Sequence, residues 1–170
     1  MKLELRQVTV DEKPILSNLM EKYLYEFSTW EKTDVSALGL YGYDWLDCYW
    51  TEKGRWAFFI LADGKLAGFV MVNDYQETPG ITTDYAMSEF FIMNRYKRMG
   101  VGSYAARTVF EMFRGRWQLK YLPSNVPSQL FWDRIVPQCA PKTAELHVGL
   151  GTPYPNGELG NVWTFDTSKG

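Results

Sequence analysis

Residues 88–113 constrain the fold more than any other stretch, because they require a strand, a tight turn and a helix in immediate succession. Four consecutive apolar residues, 90–93, predict a buried strand. Gly100 and Gly102 follow a basic segment and indicate a tight turn. Apolar residues then recur at the spacing of an amphipathic helix, at Ala106, Val109, Phe110 and Phe113. An α/β fold with a strand–turn–helix unit at its centre follows.

The predicted turn has the chemistry of an anion site. Amides that open a helix have no intrahelical acceptor, and the positive end of the helix dipole lies beside them. Lys97 and Arg98 add two positive charges. The turn is not a Walker loop, because Gly-Lys-Ser/Thr is missing, and it lacks the third glycine of a dinucleotide fingerprint. The pattern therefore favours a phosphate-bearing ligand outside those two classes.

The other elements are predicted from periodicity and turn residues. A strand at 3–8 precedes a helix with Asp11 as its N-cap and Pro14 in its first turn. Asp63-Gly64 joins two β-rich runs, 56–62 and 65–72, and predicts a type I′ hairpin. Further strands are predicted at 117–122, 144–150 and 161–166, and a helix from Asn125 to about Val136, where Pro137 would stop it.

Composition limits the classes of function. With 170 residues, 46% of them hydrophobic, the chain fits a single domain, 1–170. The net charge of −2 argues against a nucleic acid partner. No stretch approaches the roughly 20 apolar residues of a membrane span and no signal peptide is visible, so no membrane partner and a cytoplasmic location are expected. Cys48 and Cys139 lie far apart, and no metal site is expected.

The segment 97–102, Lys-Arg-Met-Gly-Val-Gly, resembles the Arg/Gln-x-x-Gly-x-Gly/Ala motif of the GNAT superfamily of acetyl-CoA-dependent N-acetyltransferases. The predicted order of elements is also similar to the order in that family. The resemblance implies a central mixed, mostly antiparallel sheet flanked by helices, with the fourth and fifth strands splayed apart. Acetyl-CoA would bind in the splay as co-substrate, its pantetheine on the backbone of Phe91 and Ile92. Its pyrophosphate would bind the turn residues Lys97, Arg98, Met99, Gly100, Val101, Gly102 and Ser103.

A second segment, 125–136, resembles the family's Asn-x-x-Ala-x-x-Leu/Phe-Tyr helix. By this resemblance Asn125 binds the pantetheine arm, in addition to capping its helix. Trp132 stands where many members have the Tyr that protonates the departing thiolate, and an indole does not ionise usefully. Solvent, Tyr104 or Tyr121 remain as alternative proton donors.

Amine acetylation requires a base, because a primary amine with a pKa of about 10 is protonated at neutral pH. Glu89 is the candidate, as the acid within the apolar strand beside the expected thioester. Strand alternation places it on the face of Phe91 unless a bulge intervenes. Asp84 and Tyr85 are second choices, and a purely structural carboxylate at position 89 is the alternative interpretation.

The acceptor side is predicted from an aromatic segment, residues 41–50. Tyr41, Tyr43 and Trp45, with Tyr23 and Glu26 from the first helix, are the expected acceptor-binding residues, although rings of this kind also fill gaps beside a sheet edge. The partner would be a small-molecule or peptide amine, and family members commonly form homodimers.

Three functions of different classes fit these observations. The first is an N-acetyltransferase that moves the acetyl group directly to a primary amine in a ternary complex. The second is a catalytically silent CoA-binding or sensing domain of the same fold, suggested by Trp132. The third is an unrelated phosphate-binding α/β domain.

Overall fold

One sheet of seven strands organises the described chain, residues 1–169 of the computed structural model. The strands are β1 (Leu3–Gln7), β2 (Arg55–Ala62), β3 (Lys65–Asn73), β4 (Tyr85–Ile92), β5 (Arg116–Tyr121), β6 (Glu145–His147) and β7 (Asn161–Asp166). The helices are α1 (Lys13–Glu31), α2 (Cys48–Thr51), α3 (Val101–Met112) and α4 (Val126–Cys139), and short 3-10 helices lie at Val10–Glu12 and Asn94–Tyr96. The predicted order of elements is confirmed.

The sheet is mixed and mostly antiparallel, as expected. Its strand order is β1-β2-β3-β4-β5-β7-β6, and the β4–β5 pair is the parallel one among the described pairs. A parallel pair needs a crossover connection, which α3 supplies. The strand–turn–helix unit predicted from residues 88–113 therefore forms the centre of the molecule.

Helices cover both faces of the sheet. α3 and α4 pack on one face, where Val109 and Ile135 belong to the same buried cluster as Val70 of β3. α1 packs on the opposite face, where Leu16 and Phe69 belong to a second buried cluster. Because β2 and β3 are covered on both sides, they form nearly continuous apolar runs instead of alternating ones.

The hairpin between β2 and β3 has the backbone that its sequence predicts. Asp63 and Gly64 both have positive φ, 50° and 74°, as a type I′ turn requires. β2 ends directly before these two residues, and β3 begins directly after them. The turn thereby sets the register of the strand that pairs with β4.

Two helix boundaries differ from the predictions. Asp11 is not the N-cap: Thr9 caps the 3-10 turn, its amide donating to the Glu12 carboxylate, and α1 begins at Lys13. Pro14 does lie in the first turn. Pro137 does not stop α4, which continues to Cys139. A proline removes a single intrahelical hydrogen bond, and here it does so within the last turn of the helix.

The strand predicted at 144–150 is shortened to β6. Val148 is 79% exposed and Leu150 43% exposed, so the apolar positions of the alternating pattern have no surface to pack against. Gly149 has φ of +67°, which is outside the β region. The chain leaves the sheet after His147 and enters the loop that leads to β7.

Candidate active site

The parallel strands β4 and β5 stay paired only at their beginnings. Residues 85–87 pair with residues 117–119, and the Asp84 carboxylate accepts hydrogen bonds from the Arg116 amide and guanidinium at 2.8–3.2 Å just before them. Beyond Met87 the described ladder ends, while β4 continues to Ile92 and β5 to Tyr121. The splay expected between the fourth and fifth strands is therefore present.

Main-chain groups of β4 alternate between β3 and the splay. The Met93 amide donates to the Ala67 carbonyl at 2.8 Å, and the Phe91 carbonyl oxygen would lie 1.9 Å from a Cβ placed on Gly68. Both groups thus point to β3. By alternation, the main-chain groups of Ile92 and Phe90 point into the splay. The main chains of Phe91 and Ile92 were both predicted to bind pantetheine. Ile92 does face the splay, but the Phe91 carbonyl points to β3 and is not available there.

The turn before α3 has the backbone of an anion cradle. Arg98 and Gly100 have positive φ, 62° and 82°, and the first helical bond runs from the Tyr104 amide to the Gly100 carbonyl. The amides before Tyr104 have no intrahelical acceptor. Met99 is exposed, Val101 is buried, and Gly102 and Ser103 occupy the first turn of α3.

The two glycines of this turn have different structural reasons. A Cβ on Gly100 would meet nothing within 4 Å, so its positive φ is what favours glycine there. A Cβ on Gly102 would lie 3.2 Å from the Phe131 ring and 3.5 Å from the Ile92 side chain. Gly102 therefore lets the start of α3 approach α4 and β4 closely.

The α4 residues lie beside the splay. Asn125 is buried and caps the helix, with its side-chain oxygen accepting from the Ser128 amide at 3.2 Å. The Trp132 ring packs edge-on against Phe90, with centroids 5.0 Å apart. The Tyr121 hydroxyl donates to Asp133 of α4 at 3.0 Å.

A β-bulge in β4 places the candidate base. Met71 pairs with Glu89 and Val72 with Met87, so Ser88 is the extra residue. Glu89 lies on the α1 face of the sheet together with Phe91, as alternation predicts, and its carboxylate accepts a hydrogen bond from the Tyr43 hydroxyl at 3.1 Å. The bulge affects the residues before Glu89 and leaves its face unchanged.

A cavity of about 600 Å³ joins the splay to this face. Leu119, Tyr121 and Trp132 line it on the splay side, and Glu89 also lines it. Burial raises the pKa of Glu89 from 4.5 to about 7, while hydrogen bonds from the Tyr23 and Tyr43 hydroxyls oppose the rise. A carboxyl group with this pKa exchanges its proton near neutral pH, which suits a general base.

The structure divides the predicted acceptor residues between two cavities. Tyr23, Tyr43 and Trp45 line the cavity of Glu89. Tyr41 and Glu26 line a second cavity of about 650 Å³, and the Glu26 carboxylate is paired with the Lys97 ammonium.

The other candidate groups lie outside the lining of the first cavity. Asp84 is engaged with Arg116, and the Tyr85 ring packs on Trp117 and Phe113. Tyr104, the alternative proton donor on α3, lies outside this lining as well, whereas Tyr121 belongs to it.

Several lining residues were not predicted from the sequence. The same cavity is lined by Tyr49 of α2, Glu31 at the end of α1 and Lys120 of β5. Two loop residues, Glu77 and Tyr154, line it as well. Tyr49 belongs to the aromatic segment 41–50, which could have singled it out. The others are brought together only by the tertiary fold.

Residues 1–169 contain neither a metal-binding cluster nor a membrane-spanning helix. No group of three or more His, Cys, Asp or Glu side chains in this range could hold a metal ion. No helix in the same range is long and apolar enough to cross a membrane.

Comparisons with known proteins agree on the fold. A family model described as "Acetyltransferase (GNAT) family" matches residues 19–135. An acetyltransferase from Thermus thermophilus superimposes with a TM-score of 0.66 at 14% identity, covering 98% of this chain and 97% of that one. The PaiA N-acetyltransferase of Thermoplasma acidophilum, in complex with coenzyme A, gives 0.60 at 12% identity over 98% and 99%. Arabidopsis thaliana NAA60, in complex with a bisubstrate analogue, gives 0.63 at 10% over 97% and 98%. No functionally curated protein matched the sequence.

Proposed function

The chain belongs to the acetyltransferase (GNAT) family, and from that premise we propose that it transfers the acetyl group of acetyl-CoA to a primary amine within a ternary complex. One observation carries the proposal: Glu89, with a pKa of about 7, lines a cavity that also reaches the splay between β4 and β5. A base is thereby available where an amine would meet a thioester bound in the splay. Residues 1–170 would act as one domain.

The residues around the splay fit coenzyme A. The amides of residues 98–103 would hold the pyrophosphate, since Arg98 and Gly100 have the positive φ of an anion-binding turn. The main chain of Ile92 and Phe90 and the side chain of Asn125 would bind the pantetheine arm. Lys97 contributes to the positive rim, although its ammonium is paired with Glu26. When bound, acetyl-CoA supplies an activated acyl group.

Two side chains of this protein would accept and donate the protons of the acetyl transfer. Glu89 accepts the proton that the amine loses as its nitrogen forms the bond to the acetyl carbon. The C–S bond breaks, and the sulfur takes a proton, which we assign to the Tyr121 hydroxyl; this hydroxyl turns from Asp133 to the sulfur and regains a proton from solvent after the transfer. Burial raises the pKa of Tyr121, so that it stays protonated at neutral pH. Neither Cys48 nor Cys139 lines the cavity, which supports direct transfer over an acyl-enzyme.

Calorimetry with acetyl-CoA, followed by a thiol-release assay with a panel of amines, tests the proposal. We expect micromolar binding and amine-dependent release of free thiol. In Glu89→Gln, turnover should fall by about a hundredfold or more, with unchanged affinity for acetyl-CoA. Glu111→Gln, on the exposed surface of α3, is the matched control.

The same assay separates the alternatives. Binding of acetyl-CoA without thiol release for any amine would favour the CoA-sensing domain suggested by Trp132. Absence of binding would contradict both the enzyme and the sensor. Full turnover in Glu89→Gln would remove Glu89 from the mechanism while leaving the activity intact.

A further inference from the structure

The cavity of Glu89 contains two more carboxylates, Glu31 at the end of α1 and Glu77 in the loop between β3 and β4. Within residues 1–169, neither forms an ion pair or a hydrogen bond with a protein group. Burial raises the pKa of both, while the nearby Lys120 ammonium opposes the rise. Half-buried carboxylates without a counterion are costly unless a ligand compensates them.

The two cations of the cavity, Arg55 and Lys120, form no ion pair with its carboxylates. Arg55 is paired with Glu52 at 3.2 Å. The Lys120 ammonium donates to the Thr152 hydroxyl at 2.9 Å and lies 4.5 Å from the centre of the Tyr154 ring. Three carboxylates therefore share the cavity with two cations, and the cavity carries one negative charge in excess when all three carboxylates are ionised.

An independent observation points to a polar ligand. The Tyr49 side chain lines the cavity and is 7% exposed. Within the described residues its hydroxyl is the buried side-chain polar atom that has no hydrogen-bond partner of normal geometry, and the side chains of Ser88 and Asn73 are its polar neighbours. A buried hydroxyl left unpaired is destabilising. Tyr23, Tyr43 and Trp45 add ring faces, which attract ammonium groups.

We propose that the acceptor is an aliphatic diamine or polyamine, with one amine at Glu89 and a second ammonium held by Glu31 and Glu77. This inference rests on the proposed acetyltransferase function and names its substrate class. An acceptor with a neutral tail would leave Glu31 and Glu77 without a direct ion-pair partner. An acceptor with an anionic tail, such as an amino acid, would be repelled by them. The Tyr49 hydroxyl can accept a hydrogen bond from an ammonium group.

Three five-carbon acceptors that differ only at the far end test the inference on the wild-type protein. They are 1,5-diaminopentane, pentylamine and 5-aminopentanoate, each assayed by thiol release with saturating acetyl-CoA. We expect kcat/KM to be about tenfold higher for the diamine than for pentylamine, as one charged hydrogen bond provides, and lowest for the amino acid. Equal values for the diamine and pentylamine would overturn the inference while leaving the acetyltransferase function standing.

Charge-neutralising variants locate the second ammonium. In Glu31→Gln/Glu77→Gln, the ratio of diamine to pentylamine kcat/KM should fall towards one. Asp44→Asn, which removes an exposed charge outside both cavities, should keep the wild-type ratio. A diamine preference that survives the double substitution would contradict the assignment to these carboxylates.

A binding measurement gives a readout that does not depend on turnover. Calorimetry in the presence of coenzyme A should show tighter binding of 1,5-diaminopentane than of pentylamine, and the difference should be lost in the double variant. If acetyl-CoA binds but no amine releases thiol, both the inference and the proposed function fail. If pentylamine alone reacts, only the inference fails.

Discussion

At the scale of single residues, the group proposed as base also reduces the stability of the fold. Glu89 has a pKa of about 7 in the folded chain against 4.5 ordinarily. The folded state therefore binds more protons than the unfolded state between these values, and the free energy of unfolding falls as pH rises from about 4.5 to 7. The cause is burial of the carboxyl group, which disfavours its charged form.

Removing this charge should stabilise the protein above neutral pH. Glu89→Gln should raise the free energy of unfolding at pH 8 by on the order of 1 to 3 kcal/mol, and by much less at pH 4.5, because the wild-type side chain is protonated there. Guanidinium titration at both pH values measures the difference. Glu111→Gln should change neither value, and an equal effect of Glu89→Gln at the two pH values would show that its charge is not the cause.

At the scale of elements, the turn before α3 should control affinity for the coenzyme. Gly100 has φ of +82° with free space around its Cβ position, so Gly100→Ala introduces backbone strain of about 1–2 kcal/mol without a clash. Relief of that strain would move the amides of the turn. Calorimetry should show affinity for acetyl-CoA reduced by about tenfold.

The hairpin between β2 and β3 offers a matched control for that substitution. Gly64 has φ of +74° and equally free space at its Cβ position, but it lies in the turn that joins β2 to β3 and lines neither cavity. Gly64→Ala should lower stability to a similar extent and leave affinity for acetyl-CoA unchanged. Equal affinities for both variants would refute the assignment of the turn before α3 to the pyrophosphate.

The loop between α1 and α2 positions the Tyr43 hydroxyl on the carboxylate of Glu89. The Glu21 carboxylate of α1 accepts hydrogen bonds from the amides of Tyr41 and Gly42, each at 2.9 Å. The next residue, Tyr43, donates its hydroxyl to Glu89 at 3.1 Å. Glu21 contacts no reacting atom in the proposed mechanism, and we therefore regard it as a positioning residue.

Glu21→Gln should shift the pH dependence of turnover. Loss of the Tyr43 hydrogen bond removes a contact that favours ionised Glu89, so the midpoint of the rate profile should move up by about one pH unit, as in Tyr43→Phe. In the Tyr43→Phe background, Glu21→Gln should add no further shift. Additive shifts in the double variant would mean that the two residues act separately.

At the scale of the whole molecule, the features predicted from sequence are local ones. The strand–turn–helix unit of residues 88–113 and the Asp63-Gly64 turn are encoded by neighbouring residues, and both form as predicted. The order of elements follows from such signals in succession. Element ends that depend on packing were not predicted correctly from the sequence. α4 continues past Pro137, and β6 ends at His147 because Val148 is exposed and has no surface to pack against.

The candidate site is formed by residues that are far apart in the sequence and follow no periodic pattern. Glu77 and Tyr154 come from loops, and only the fold brings them to the cavity of Glu89. The bulge at Ser88 results from the register between β3 and β4, which no local pattern reveals. For the same reason Tyr41 and Tyr43, two residues apart, line different cavities.

The pH dependence of kcat/KM for wild type and Glu89→Gln, measured by thiol release with acetyl-CoA and 1,5-diaminopentane, tests the central claim most directly. If Glu89 takes the proton from the amine, the wild-type rate rises through an apparent pKa of about 7, and this rise is absent in the variant, which follows only the ionisation of the amine. A variant that keeps the same rise at the same pH would contradict the account.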